Sequence, residues 1–128
     1  TAQGVIKKTS LSAFNNPRKG GIVAVTLESK DRLIQTAISN GKNDILLATK
    51  EGKSLRFPEK LLRDMGRAAK GVRGIKLNKG DEVVSMQVFP TDIDKTGSTL
   101  LTVTSLGFAK RSLFTDYRSQ SRGGKGIS

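Results

Sequence analysis

The sequence predicts an all-β protein of repeated units, each with four short strands and one long basic loop, stacked like propeller blades. Three observations predict it. A Thr-x-x-Gly motif occurs three times, with glycines 48 and 55 residues apart. A glycine-rich block recurs downstream of each copy. The apolar runs between these marks are short and bounded by turn residues. Repeats of roughly 40–50 residues with four strands read as blades.

The first motif copy is Thr1-Ala2-Gln3-Gly4-Val5-Ile6-Lys7-Lys8-Thr9. Thr49 to Phe57 and Thr104 to Ser112 repeat it. Each places a basic residue four positions beyond its glycine: Lys8, Arg56 and Arg111. The downstream block begins at Gly20-Gly21-Ile22, Lys70-Gly71-Val72 and Arg122-Gly123-Gly124, which aligns Gly21, Gly71 and Gly123. Asp31-Arg32 and Asp81-Glu82 then read as acidic turns that open apolar stretches. Asp44 to Thr49 and Thr99 to Thr104 are strand runs, each followed by a glycine turn and a second short run, as in a hairpin. Val83, Met86 and Val88 suggest a half-buried strand with imperfect alternation. Leu61, Leu62 and Met65 stand at helical spacing. Pro58 to Ala69 thus holds either one or two helical turns ended by Gly66 or a loop anchored by those side chains. The polar stretch Pro90 to Ser98 reads as a connection between blades.

These marks divide one domain into residues 1–44, 45–97 and 98–128, about two and a half units. A closed ring needs more, so the chain reads as an excerpt of a longer protein. Open terminal strand edges predict that it associates with itself or borrows strands.

Composition excludes several chemistries. The 128 residues include no Cys, His or Trp. That removes the usual zinc, iron–sulfur and haem ligand sets, Cys–His and Ser–His–Asp catalysis, and any disulfide scaffold. No cofactor is expected. No apolar run approaches roughly 18 residues, so no membrane span is predicted. The N-terminus lacks a signal-peptide layout, and the expected residence is cytoplasmic. Lys and Arg number 23 against 11 acidic residues, a net charge of +12. Such a charge asks for a polyanion, and duplex nucleic acid rewards every cation brought near a phosphate. Aromatic residues are only 5%, too few for a reader that stacks bases.

The cations cluster in the long loops. The first loop offers Arg18 and Lys19. The second offers Arg63, Arg67, Lys70 and Arg73, with Lys60 beside them. The third offers Arg118, Arg122 and Lys125. With Lys8, Arg56 and Arg111 they recur once per unit. If units stack side by side, a recurring position becomes a row along one rim, suited to a curved DNA backbone. Adjacent glycines would let phosphates approach main-chain N–H groups.

Several blocks in order resemble the C-terminal domain of the A subunit of bacterial type IIA topoisomerases, DNA gyrase most of all. They are Gly4 to Thr9, Asn16 to Ile22, Met65 to Ile75, Gly80 to Val84, Leu101 to Thr104 and Tyr117 to Ile127. The resemblance implies a six-bladed β-pinwheel, a disc whose blades exchange strands. It implies that duplex DNA wraps the basic rim and that the wrap supports negative supercoiling by an ATP-dependent enzyme. The partners so implied, in the bacterial nucleoid, are the ATPase subunit of the holoenzyme together with the remainder of the A subunit. The family box Gln-Arg-Arg-Gly-Gly-Lys-Gly is approximated by Gln120 to Gly126, with Ser121 in its second place.

No residue is read as catalytic. Tyr117 is the only tyrosine, and its context is that of the wrapping repeat. Asp81, Glu82, Asp92 and Asp94 form no repeated metal-ligand set, and no Walker-type loop is present. Two other readings stand beside gyrase-type wrapping. One is a topoisomerase IV-type domain that selects DNA geometry. The other is a protein-interaction propeller that does not wrap DNA.

Overall fold

Three copies of one hairpin turn set the frame. In a computed structural model that describes residues 1–128, the hydroxyls of Thr1, Thr49 and Thr104 accept the amide hydrogens of Val5, Lys53 and Phe108, each at 3.2 Å. Gly4, Gly52 and Gly107 donate to the carbonyls of the same threonines at 3.1, 3.0 and 3.0 Å. These glycines take φ of +79, +81 and +85°, which costs an L side chain roughly 1–2 kcal/mol. Thr and Gly recur three apart because the hydroxyl and the left-handed residue close one turn together.

Strand β1 (Val5–Ile6) leaves the first turn. Strands β2 (Asn43–Thr49) and β3 (Ser54–Pro58) flank the second, with β4 (Val72–Arg73) and β5 (Val83–Pro90) following. Strands β6 (Thr99–Val103) and β7 (Ala109–Leu113) flank the third. The helical elements are single 3-10 turns at Leu11–Phe14, Glu59–Leu61, Ile93–Lys95 and Phe114–Asp116. The protein is therefore all-β. The open choice at Pro58 to Ala69 resolves as one 3-10 turn followed by a loop, because Leu62 is already extended (φ −99°, ψ 123°). Leu62 is buried and anchors that loop, whereas Leu61 is exposed.

The middle sheet is antiparallel in the order β3-β2-β5. Its pairing slips at one bulge: Ala48 faces Ser85 and Thr49 faces Val83, so Val84 is the extra residue. This explains why Val83, Met86 and Val88 alternate imperfectly. The middle unit supplies three strands to that sheet, not four. The free side of β3 is covered by the following unit, through bridges from Ser119 to Arg56 and from Ile127 to Ser54. Likewise β1 pairs with β4, and Lys8 bridges to Asp64. Each basic loop thus crosses onto the unit before it. In the first unit, residues 21–42 form no regular strand.

The backbone corrects the repeat alignment. A Cβ on Gly71 would lie 2.6 Å from the Ile6 carbonyl oxygen, and one on Gly126 would lie 2.5 Å from that of Ser54. Ile6 and Ser54 each stand two residues beyond their turn glycines. The counterpart of Gly71 is therefore Gly126, not Gly123, at the 55-residue interval that separates Gly52 from Gly107. Matching glycine runs misled the sequence alignment. The fold requires a glycine where two backbones touch.

Strand β2 buries consecutive residues because both of its faces are covered. Ile45 and Leu47 pack with Leu55, Phe57, Leu62, Ile75 and Val83 on the side of the first unit. Leu46 packs with Phe89 and Phe114 on the side of the third.

The acidic turns also repeat. Asp31 accepts the amides of Gln3 and Arg32 at 3.0 and 2.8 Å. Asp81 accepts those of Glu51 and Glu82 at 3.0 and 2.9 Å. Partial burial works against both carboxylates, but the neighbouring Thr1 and Thr49 and the hydrogen bonds from these amides outweigh it. Both carboxyls are held below their ordinary range.

Candidate nucleic-acid interface

The structure sorts the candidate cations into three environments. Arg18, Lys19, Arg63, Lys70, Arg73, Arg111, Arg118 and Lys125 are exposed. Lys8, Arg67 and Arg122 are half-buried. Arg56 is buried. Of the exposed group, only Lys70 forms an ion pair, with Glu28. Both of its members are largely solvated, so the pair adds little stability.

Arg56 does not belong to a DNA-facing row, and the expectation for it is corrected. Its side chain is 3% exposed. Nε donates to Asp44 Oδ2 at 2.7 Å and Nη1 to Asp94 Oδ1 at 2.7 Å. Nη1 also donates to the carbonyls of Phe114 and Tyr117 at 3.2 and 3.3 Å. The Phe89 ring lies 5.3 Å from its guanidinium carbon. Burial opposes the charge, but the bonds to Asp94 and Asp44 outweigh it and hold the guanidinium above its ordinary range. The residue fastens the third unit onto the second. Alternation along β3 places Arg56 opposite the face of Leu55 and Phe57, and a lone sheet would leave that face wet. The next unit covers it. Lys8, at the same repeat position, makes a looser pair with Asp64 at 3.5 Å, and the Asp64 side chain is 71% exposed.

The two loop arginines make one contact twice. Arg67 Nη1 donates to the Val23 carbonyl at 2.7 Å. Arg122 Nη1 donates to the Arg73 carbonyl at 2.6 Å. Val23 and Arg73 hold equivalent places, since Asp31 and Asp81 repeat at the same 50-residue interval. Each arginine thus ties its loop to the neighbouring unit before offering the rest of its charge outward. At the second crossing Gly123 donates to Gly74 at 2.7 Å and Lys76 to Gly124 at 2.8 Å. The loop that carries Arg118, Arg122 and Lys125 therefore abuts the end of the loop that carries Arg63, Arg67, Lys70 and Arg73. Arg63, Asp64 and Lys70 line a shallow concavity of about 330 Å³ with the backbone of Gly66 and Gly71.

The sequence reading missed Lys7. Its ammonium lies under the second loop and donates to the carbonyls of Ala24, Gly66, Arg67 and Ala69. Burial, and then the Arg67 guanidinium, hold it below the ordinary lysine range. A signal was present: the equivalent residue in the next unit is Leu55, an inward position.

Tyr117 packs beside the Leu46 cluster and is half-buried. No group of three or more acidic side chains is placed to hold a metal ion. No helix is long and apolar enough to cross a membrane.

Residues 1–40, 43–90 and 98–128 match the family model described as DNA gyrase C-terminal domain, beta-propeller. The chain belongs to this family. It is 41% identical over 127 residues to the DNA gyrase A subunit of Pseudomonas aeruginosa, and 42% identical over 127 residues to that of Haloquadratum walsbyi. The match takes in 99% of this chain but only 13% and 14% of those relatives, so the chain spans about one seventh of their length. Among solved structures, a C-terminal domain of DNA topoisomerase IV superposes with a TM-score of 0.90 at 26% identity, covering 98% of this chain and 38% of that one. A DNA gyrase A C-terminal domain superposes with a TM-score of 0.84 at 26% identity, covering 98% and 40%. Shape matches a topoisomerase IV domain and a gyrase domain alike, and the two sequence relatives named above are gyrase A subunits.

Proposed function

We propose that this chain binds duplex DNA by its sugar-phosphate backbone and bends it, as the non-catalytic C-terminal module of a gyrase-type topoisomerase. The observation that carries the reading is the repeated seam contact, Arg67 to Val23 and Arg122 to Arg73, which sets two basic loops end to end. Along them Arg63, Arg73, Arg118 and Lys125 are exposed and free of ion pairs, with Arg18 and Lys19 on the first unit. Exposed cations carried on abutting loops suit the backbone of a bent duplex and read no sequence. In the parent enzyme the bend would present a DNA crossing to the cleavage gate, and the ATPase subunit would drive strand passage toward negative supercoiling. Residence in the cytoplasm, on the nucleoid, follows from that role. The 41% identity to gyrase subunits favours this reading over a topoisomerase IV-type role.

A salt titration of duplex binding tests it. Affinity should fall steeply with salt, vary little with base sequence, and favour duplexes long enough to bend. Replacing Arg73, Arg118 and Lys125 together with Glu should reduce the slope of log affinity against log salt by about 2–3. An unchanged slope would overturn the rim assignment.

A further inference from the structure

The loop Gly66–Gly71 has an inside and an outside, and Lys7 defines which is which. Its three ammonium N–H groups donate to four carbonyls, one of them shared: Ala24 at 2.6 Å, Gly66 and Ala69 at 3.2 Å each, and Arg67. Three of these belong to the loop. In a trans peptide the carbonyl of one residue and the N–H of the next point in opposite directions. Drawing in the carbonyls of Gly66, Arg67 and Ala69 therefore turns out the N–H groups of Arg67, Ala68 and Lys70. The hydrogen bonds agree. Those three amides donate to no protein acceptor, whereas the Ala69 amide, whose partner carbonyl is held by Thr26 instead, donates inward to Gly66 at 3.1 Å. Of these residues Lys70 lines the shallow concavity, together with Arg63 and Asp64, and Arg67 and Ala68 lie on the same loop beside it.

We propose that Lys7 is a positioning residue for phosphate: by holding the loop carbonyls inward it presents the amides of Arg67, Ala68 and Lys70 to a phosphate of the duplex. This rests on the DNA-binding reading above. Lys7 itself need not touch DNA. Its half-buried ammonium is engaged by the loop carbonyls, whose dipoles it offsets. The adjacent N–H groups of Arg67 and Ala68, with that of Lys70 beyond the inward Ala69 amide, offer donors to an anion without regard to base sequence.

The test compares Lys7→Met with Lys110→Met in the 128-residue chain. Lys110 is the exposed residue at the same repeat position in the third unit, so both variants lose one charge. Methionine suits the site because the middle unit carries Leu55 there. In the DNA-free protein, Lys7→Met should move the amide resonances of residues 66–70, and Lys110→Met should leave them in place. Duplex affinity should fall by roughly tenfold more in Lys7→Met than in Lys110→Met, the scale of one hydrogen bond to a charged group. In Lys7→Ala, added propylammonium should restore both the resonances and the affinity, since it refills the carbonyl cage. Equal affinities for the two Met variants, unmoved loop amides, or no response to propylammonium would each overturn the proposal. If the unaltered chain shows no salt-sensitive duplex binding, the DNA reading fails and takes the phosphate role with it. The amide resonances would still decide whether Lys7 orients the loop.

Discussion

The two basic loops have equal length and opposite construction. Gly66–Gly71 is fastened from beneath by the Lys7 ammonium and from the side by the Lys8–Asp64 pair. Ser121–Gly126 has Leu55 beneath it: a Cβ on Gly124 would sit 3.7 Å from Leu55 Cδ1. At its side stands the buried Arg56 network. Their backbones differ accordingly. Gly123 takes φ +81°, while Ala68, in the same place, stays out of the left-handed region. One loop is shaped by a polar clasp, the other by glycine and apolar contact. A repeat can keep its crossings and its outward arginines while it exchanges the chemistry that holds them.

The largest expected effect breaks the comparison at its side fastening. Arg56→Met strands Asp44 in the interior and should cost about 3–5 kcal/mol. Lys8→Met at the equivalent place should cost below about 1 kcal/mol. Denaturant unfolding of both variants measures the contrast, and similar losses would remove it.

Next comes the point where the loops agree. Gly126→Ala and Gly71→Ala should each exceed the roughly 1–2 kcal/mol of a left-handed alanine, because the new methyl meets a backbone oxygen that cannot move aside. Gly123→Ala meets nothing closer than 3.6 Å, and should cost only that conformational term of about 1–2 kcal/mol. A larger loss there would mean that the second loop has no room for a methyl group at Gly123. Ala68→Gly should cost only about 0.4–1 kcal/mol through the unfolded chain.

The smallest effect concerns what both seams share. Asp31 and Asp81 titrate below their ordinary range when folded. The unfolded chain therefore binds more protons near pH 4. The stability they add is complete above the unfolded carboxyl range and is lost as pH falls through their lowered values. Asp81→Asn should flatten this acid limb of the stability profile measured by unfolding at several pH values. An unaltered limb would exclude the turn aspartates as its source.

Much of the architecture was legible in the chain. The Thr-x-x-Gly turns, the acidic turns, strands β2 and β6 and the exposed loop cations are local. Each depends on a hydroxyl, a carboxylate or a missing Cβ acting within a few residues. The repeat register downstream was not legible, because Gly123 and Gly126 are both glycines and only contact with Ser54 tells them apart. Arg56 was misread for a related reason. Residue type and periodicity state that a side chain leaves one face of a strand. They do not state what covers that face.

The sequence alone determined that the protein is a β repeat, that its turns fall where threonine precedes glycine by three, and that it is strongly cationic. Each of these follows from short-range geometry or from composition. The tertiary structure decided which cations face outward and which became fasteners, because that depends on how neighbouring units stack. An ammonium or guanidinium reaches carbonyls and carboxylates of the next unit over several ångströms, and burial converts such a contact from a solvated charge into a structural bond.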